Sequence, residues 1–126
     1  MTSFQVKTKR VYEPFAGDDG RRVLVDRLWP RGLKKEALVL DEWMRDVAPS
    51  PELRKWFGHE PDRFAQFRRY YEEELTNDDT HRHSLAQLCS WAVEDNLTLL
   101  YAAKDPVCNH AVVLRGMIFK KLCEGQ

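Results

Sequence analysis

The chain has no apolar run approaching the roughly 18–20 residues that a membrane-spanning helix requires, no cysteine pair at CxxC spacing, and no net charge, its 20 Lys and Arg balancing 20 Asp and Glu. The first absence excludes a membrane partner of the helical kind. The opening "MTSFQVKTKR" also lacks the apolar core of a signal peptide, so the expected location is cytoplasmic. The three cysteines, Cys89, Cys108 and Cys123, are odd in number and widely spaced, which argues against a disulfide framework and a thiolate zinc site. Cys89 falls on an apolar helix face, where free cysteine behaves as a small hydrophobe. A neutral chain also lacks the global field of a strong DNA binder. There is no Walker loop, GxGxxG, HExxH or GxSxG, no repeat and no low-complexity tract, so no cofactor is expected.

What is present is enough for one core: 126 residues, 43% hydrophobic, with four tryptophans. A single domain over residues 1–126 is expected. Charge is uneven along it. Residues 7–35 carry nine Lys or Arg against four acids, and residues 61–96 carry four against eight.

The chain alternates strand and helix patterns. "FQVKTKRVY" (4–12) has the period of a half-exposed strand, with Phe4 and Val6 on one face. "EPFAGDDGRR" is turn chemistry. "VLVDRLW" (23–29) begins as a strand buried on both faces, as in a parallel sheet. Residues 38–47 fit either period and are assigned to strand. Ser50, Pro51 and Gly58 supply the N-cap, first position and end of a short helix. A helix from Pro61 to about Leu75 turns Phe64, Phe67, Tyr71 and Leu75 inward, with Arg69 and Glu73 one turn apart. Leu85, Leu88, Cys89, Ala92 and Val93 mark another. "LTLLYAA" (97–103) reads as a buried strand, and Asn109 as the cap of a last helix whose final turn holds Lys120 and Lys121. The expected fold is α/β: a compact three-layer single domain with a short, mainly parallel sheet flanked by helices.

Ligands of open parallel sheets bind beyond the strand carboxyl ends. Here two strands run into "DRLWPRGLKK" and "AAKDPVCNHAVVLRG". If both point the same way, Arg27, Arg31, Lys34, Lys104, Asn109 and His110 share one rim. The last helix would add backbone amides and a partial positive charge. Guanidinium forks suit carboxylate or phosphate, and Trp29 offers a flat face to a ring. The alternative is structural: Arg27 pairs with Asp26, Asp41 or Asp46, and Trp29 plugs the sheet edge. Three further motifs are weaker. In "RKWFGH", Arg54, Lys55, Trp56 and His59 have the interleaving of a nucleic-acid platform, or cap the core. Cys108 and Arg115 are one residue too far apart for a phosphatase loop. His81 and His83 do not share a helix face, so a surface loop is expected and a metal site is not.

The stretches "KRVYEP", "VLVDRLWPRGLKK", "LDEWMRDVAPSPELRKWFGHEPDRFAQFRRYYEEEL" and "TLLYAAKDPVCNHAVVL" resemble the YeaO-like branch of domain of unknown function 488, over residues 9 to about 116. The resemblance implies a compact α/β domain in stand-alone cytosolic bacterial proteins and supplies no catalytic residues. The wider family has a cysteine and a glutamate near the end of the last strand, then Cys-His-Arg. The corresponding places here resemble Tyr101, Ala103, Asn109, His110 and Ala111, so only the histidine matches, and Cys108 sits one place early.

Three functions remain open. The first is a small-ligand binding domain or enzyme for a phosphate- or carboxylate-bearing compound, with His110 as the candidate acid–base group. The second is a nucleic-acid-binding or regulatory role for the basic amino-terminal third and Trp56. The third is a structural or protein-interaction module. No motif fixes the oligomeric state.

Overall fold

The computed structural model describes residues 5–124; Phe4, expected in the first strand, lies outside them. Four parallel strands form one sheet in the order β1-β4-β2-β3, where β1 is Val6–Arg10, β2 Arg21–Leu24, β3 Glu42–Trp43 and β4 Leu97–Tyr101. Every residue of β4 is buried. That is what its unbroken apolar run demands: a strand with neighbours on both edges and cover on both faces. Its register sets Val6 and Arg21 opposite Leu97, and Leu24 opposite Leu100.

The strand faces divide the core in two. Val6, Val23, Val25, Leu97, Leu99 and Tyr101 face the helices α1 (Pro51–Phe57), α2 (Phe64–Asn77), α3 (Asp79–Ala92) and α4 (His110–Glu124). The opposite face carries Leu24, Leu100 and Val11, covered by Trp29, Leu33, Leu38 and Leu40 from the long β2–β3 connection and by Trp43 of β3. The third layer is therefore loop and short 3-10 turns, with all four α-helices on the other face. Pro30 and Gly32 interrupt this segment too often for a helix to form.

Several boundaries differ from the sequence reading. β2 stops at Leu24 because the next rung is diverted. Val25 N still donates to Leu100 O (3.0 Å), but Ala102 N donates to Asp26 Oδ2 (3.0 Å) and His110 Nε2 takes the Val25 carbonyl (3.0 Å). Residues 38–47 are mostly neither strand nor helix: the two-residue β3 sits just before a 3-10 turn, Arg45–Val47. Val93 caps α3 and is exposed. On α2 the ion pair joins Arg68 to Glu72 (3.3 Å) rather than Arg69 to Glu73.

The caps follow the sequence. Ser50 Oγ accepts Leu53 N (3.2 Å), Pro51 opens α1, and Gly58 closes it with left-handed backbone (φ 55°). Asn109 Oδ1 accepts Val112 N (3.0 Å) at the start of α4. Each such cap is worth about 1 kcal/mol.

Candidate functional site

Because β4 lies between β1 and β2, the chain leaving its end is flanked by the ends of both neighbours. Beyond these three ends opens a cleft of about 590 Å³, closed on the helix side by α1, α2 and the start of α4. Of the seven residues expected at the rim, Arg27, Arg31, Lys104, Asn109 and His110 line this cleft. Trp29 and Lys34 do not. Trp29 packs edge-on against Trp43 on the far face of the sheet (centroids 5.3 Å apart), and its Nε1 donates to Leu33 O. Pro30 and Gly32 fold the loop back under the sheet, carrying the indole away from the strand tip. Lys34 is exposed ahead of the Lys35–Ala37 turn.

Of the "RKWFGH" candidates, Arg54 and His59 join the lining and Lys55 and Trp56 do not; Arg10 and Tyr12 join it without having been candidates. Arg10 was readable in principle, since "KRVYEP" ends a strand parallel to β4 and obeys the same rule. The route by which His59 arrives was not. The residue reaches the cleft through two consecutive left-handed residues, Gly58 and His59 (φ 58°), a conformation that costs a non-glycine residue roughly 1–2 kcal/mol.

Two of the arginines are held in place by carbonyls. Arg10 Nε donates to Ala102 O (3.3 Å) and Ala103 O (3.2 Å), and Arg27 Nη2 donates to Ala48 O (3.2 Å) and Pro49 O (3.4 Å). Arg27 Nε is buried without a hydrogen-bond partner among the described residues. The expected pairing of Arg27 with Asp26, Asp41 or Asp46 is absent. No ion pair among the described residues engages Arg10, Arg27, Arg31, Arg54 or Lys104.

Each carboxylate of the cleft accepts main-chain amides through one oxygen. Asp26 Oδ2 accepts Ala102 N, while Asp26 Oδ1 is buried without a hydrogen-bond partner among the described residues. Asp105 Oδ1 accepts Cys108 N (3.0 Å) and Val107 N (2.9 Å), which holds the Asp105 carboxyl below its ordinary range. His110 Nε2 lies 3.0 Å from Val25 O and 3.2 Å from Asp26 Oδ1. Both are acceptors, so Nε2 carries the proton and Nδ1 is the remaining ring nitrogen. Asn109 is spent on the helix cap and on Asp105 O (2.8 Å).

Among the described residues no serine, threonine, cysteine or glutamate lines the cleft. Cys108 is outside the lining, and burial, then the Asp105 carboxylate, push its thiol above the ordinary cysteine range. Of the positions matched to the wider family's pattern, Tyr101 is buried in the core and Asn109 caps α4, while Ala103 and His110 line the cleft.

His81 is not in a surface loop. Asp78 caps α3 by accepting His81 N (3.0 Å), so "THRHS" becomes the first turn of the helix. His81 is buried, with Nδ1 2.7 Å from Asp78 Oδ2 and Nε2 2.7 Å from Ala48 O. The ring's hydrogen bond, then the amide's, lower the Asp78 pKa. Ala48 O thus meets His81 from one side and Arg27 from the cleft side, which fixes the "VAPS" wall. Among the described residues no three His, Cys, Asp or Glu are grouped to hold a metal, and no helix is long and apolar enough to cross a membrane. A shallow depression of about 620 Å³ elsewhere is bordered by Glu52, Glu73, Glu74 and Asp78 and gathers no cationic side chain.

The chain is 49% identical over 109 residues to "Uncharacterized protein YeaO" of Escherichia coli (strain K12), covering 86% of this chain and 92% of that one. It is 40% identical over 114 residues to "Uncharacterized protein Rv3073c" of Mycobacterium tuberculosis (strain ATCC 25618 / H37Rv), covering 90% and 93%. No solved structure matches it. A family model matches residues 5–126, and on that match the chain belongs to DUF488-N3i, the inactive DUF488-N3 subclade.

Proposed function

We propose that this protein binds a small anionic ligand, bearing a phosphate or a carboxylate, in the cleft beyond the strand ends. One observation carries the reading. Five cationic side chains from separated parts of the chain converge on one cleft, no carboxylate among the described residues pairs with them, and both carboxylates present are engaged by backbone amides. Net positive charge on partly low-dielectric walls attracts anions, and guanidinium groups recognise carboxylate and phosphate through paired N–H bonds.

The reading is binding without turnover. Among the described residues the cleft lining holds no serine, threonine or cysteine nucleophile. The family's description as an inactive subclade agrees with it. A nucleic-acid surface has less support, because Lys7, Lys9 and Arg22 of the basic amino-terminal third converge on buried Asp19.

The test is a thermal-shift titration with phosphate- and carboxylate-bearing compounds, run on the native protein and on Arg31→Ala. The Arg31 side chain is exposed and makes no hydrogen bond to a described protein atom, so its loss leaves the fold intact. A stabilising compound whose shift falls at least severalfold in Arg31→Ala is the expected result. An undiminished shift moves the site away from this cleft.

A further inference from the structure

The same cleft is only partly charged. Its floor is the edge of the stacked core pair Phe57 and Phe67 (centroids 4.3 Å apart, 5% and 2% exposed), with buried Ala48 and Pro49 and the half-buried Ala102 and Ala103 around them. At its mouth Leu28 is 60% exposed between Arg27 and Arg31, and Tyr12 is exposed as well.

We infer that the ligand is amphipathic: an aromatic or similarly flat apolar body carrying one anionic group. This rests on the anion-binding reading above and narrows it. Inorganic phosphate has five heavy atoms and would leave most of a 590 Å³ cleft to water against apolar walls. Clefts of roughly 300–1,000 Å³ hold ligands of drug-like size, oriented by a few polar groups within a mainly apolar lining. The cationic groups sort in the same way. Arg10 and Arg27 are partly buried and anchored on carbonyls, while Arg31, Arg54 and Lys104 are exposed around the opening. An anion held by an anchored guanidinium places its apolar body against Leu28, Tyr12, Ala102 and Ala103.

The experiment is a titration of the full-length protein, by calorimetry and amide chemical shifts, with inorganic phosphate, 1-naphthyl phosphate, 1-naphthoate and neutral 1-naphthol. The naphthyl anions are expected to bind at least tenfold more tightly than either inorganic phosphate or naphthol, with shifts centred on residues 26–31 and 101–105. Tenfold is about 1.4 kcal/mol, the burial of roughly 55 Å² of apolar surface. The two naphthyl anions together distinguish a phosphate from a carboxylate site. Leu28→Ser, at an exposed position, should weaken 1-naphthyl phosphate severalfold and leave inorganic phosphate unchanged.

Equal affinities for inorganic and naphthyl phosphate, both reduced in Arg31→Ala, would overturn the amphipathic class and leave the anion reading standing. Naphthol binding as tightly as naphthyl phosphate would overturn the anion reading, and so would the failure of every probe to bind.

Discussion

Replacing Asp19 with alanine should destabilise the protein by roughly 3–5 kcal/mol, the cost of removing one partner from a buried ion pair. Asp19 is fully buried; it pairs with Arg22 (2% exposed) and lies within 2.9 Å of Lys7 Nζ and 3.0 Å of Lys9 Nζ. It also accepts Ala16 N (3.1 Å), and its own carbonyl accepts Thr98 Oγ1 (2.8 Å), tying the Gly17–Asp19 turn to β4. Burial alone would raise its pKa. Hydrogen bonds from Lys7, the Ala16 amide, Lys9 and Arg22 outweigh burial and hold the carboxyl well below the usual range. Alanine would leave Arg22 buried with only Val39 O (2.6 Å) and the Phe15 ring as partners. With unfolding entropy of roughly 2.1 cal/mol/K per residue, 126 residues give about 0.26 kcal/mol/K and a Tm lower by about 11–19 °C. Urea unfolding and calorimetry measure both quantities. A depressed folded pKa means that the stabilisation is complete above the unfolded value of about 3.9 and is lost as pH falls through the folded value. The native protein should therefore lose stability below about pH 4 more steeply than Asp19→Ala. A variant within 1 kcal/mol of wild type, or with an identical acid limb, would refute the reading of Asp19 as the shared partner of a buried ion-pair cluster.

Gly20→Ala should cost about 3 kcal/mol or more, because φ is 65° and a Cβ would stand 2.1 Å from Asn96 O, the acceptor of Arg21 N. Gly32→Ala, also at positive φ but with nothing within 4 Å, should cost only about 1 kcal/mol; equal urea midpoints for the two variants would contradict the close approach. Trp29→Phe should lose about 1–2 kcal/mol with its bond to Leu33 O and leave 1-naphthyl phosphate affinity unchanged. Affinity lost in the folded variant would return Trp29 to the ligand.

How much of this was legible depended on the range of the interaction involved. Ser50-Pro51…Gly58 and the Asn109 cap were readable because capping joins residues three or four apart, and the buried run Leu97–Tyr101 because a central parallel strand must be apolar on both faces. Residues 38–47 were not, because no local period decides them: β3 exists only where Glu42 and Trp43 meet Val23 and Leu24. His81 was not legible as helical because its cap, Asp78, lies within "TNDDT", whose residues favour turns and helix N-caps alike.

The sequence by itself determined an α/β chain whose strands end in basic loops, since periodicity and turn chemistry are local. It also showed that Arg27, Arg31, Lys104 and His110 stand just past strand ends. Only the tertiary structure decided which of those residues share a cleft. The order β1-β4-β2-β3 brings Arg10 beside Lys104 and Arg27, the backbone at Gly58 and His59 brings α1 to the same opening, and Pro30 and Gly32 fold Trp29 under the opposite face. Strand order and loop direction are set by which surfaces bury together across the whole chain, and no window of neighbouring residues contains that information.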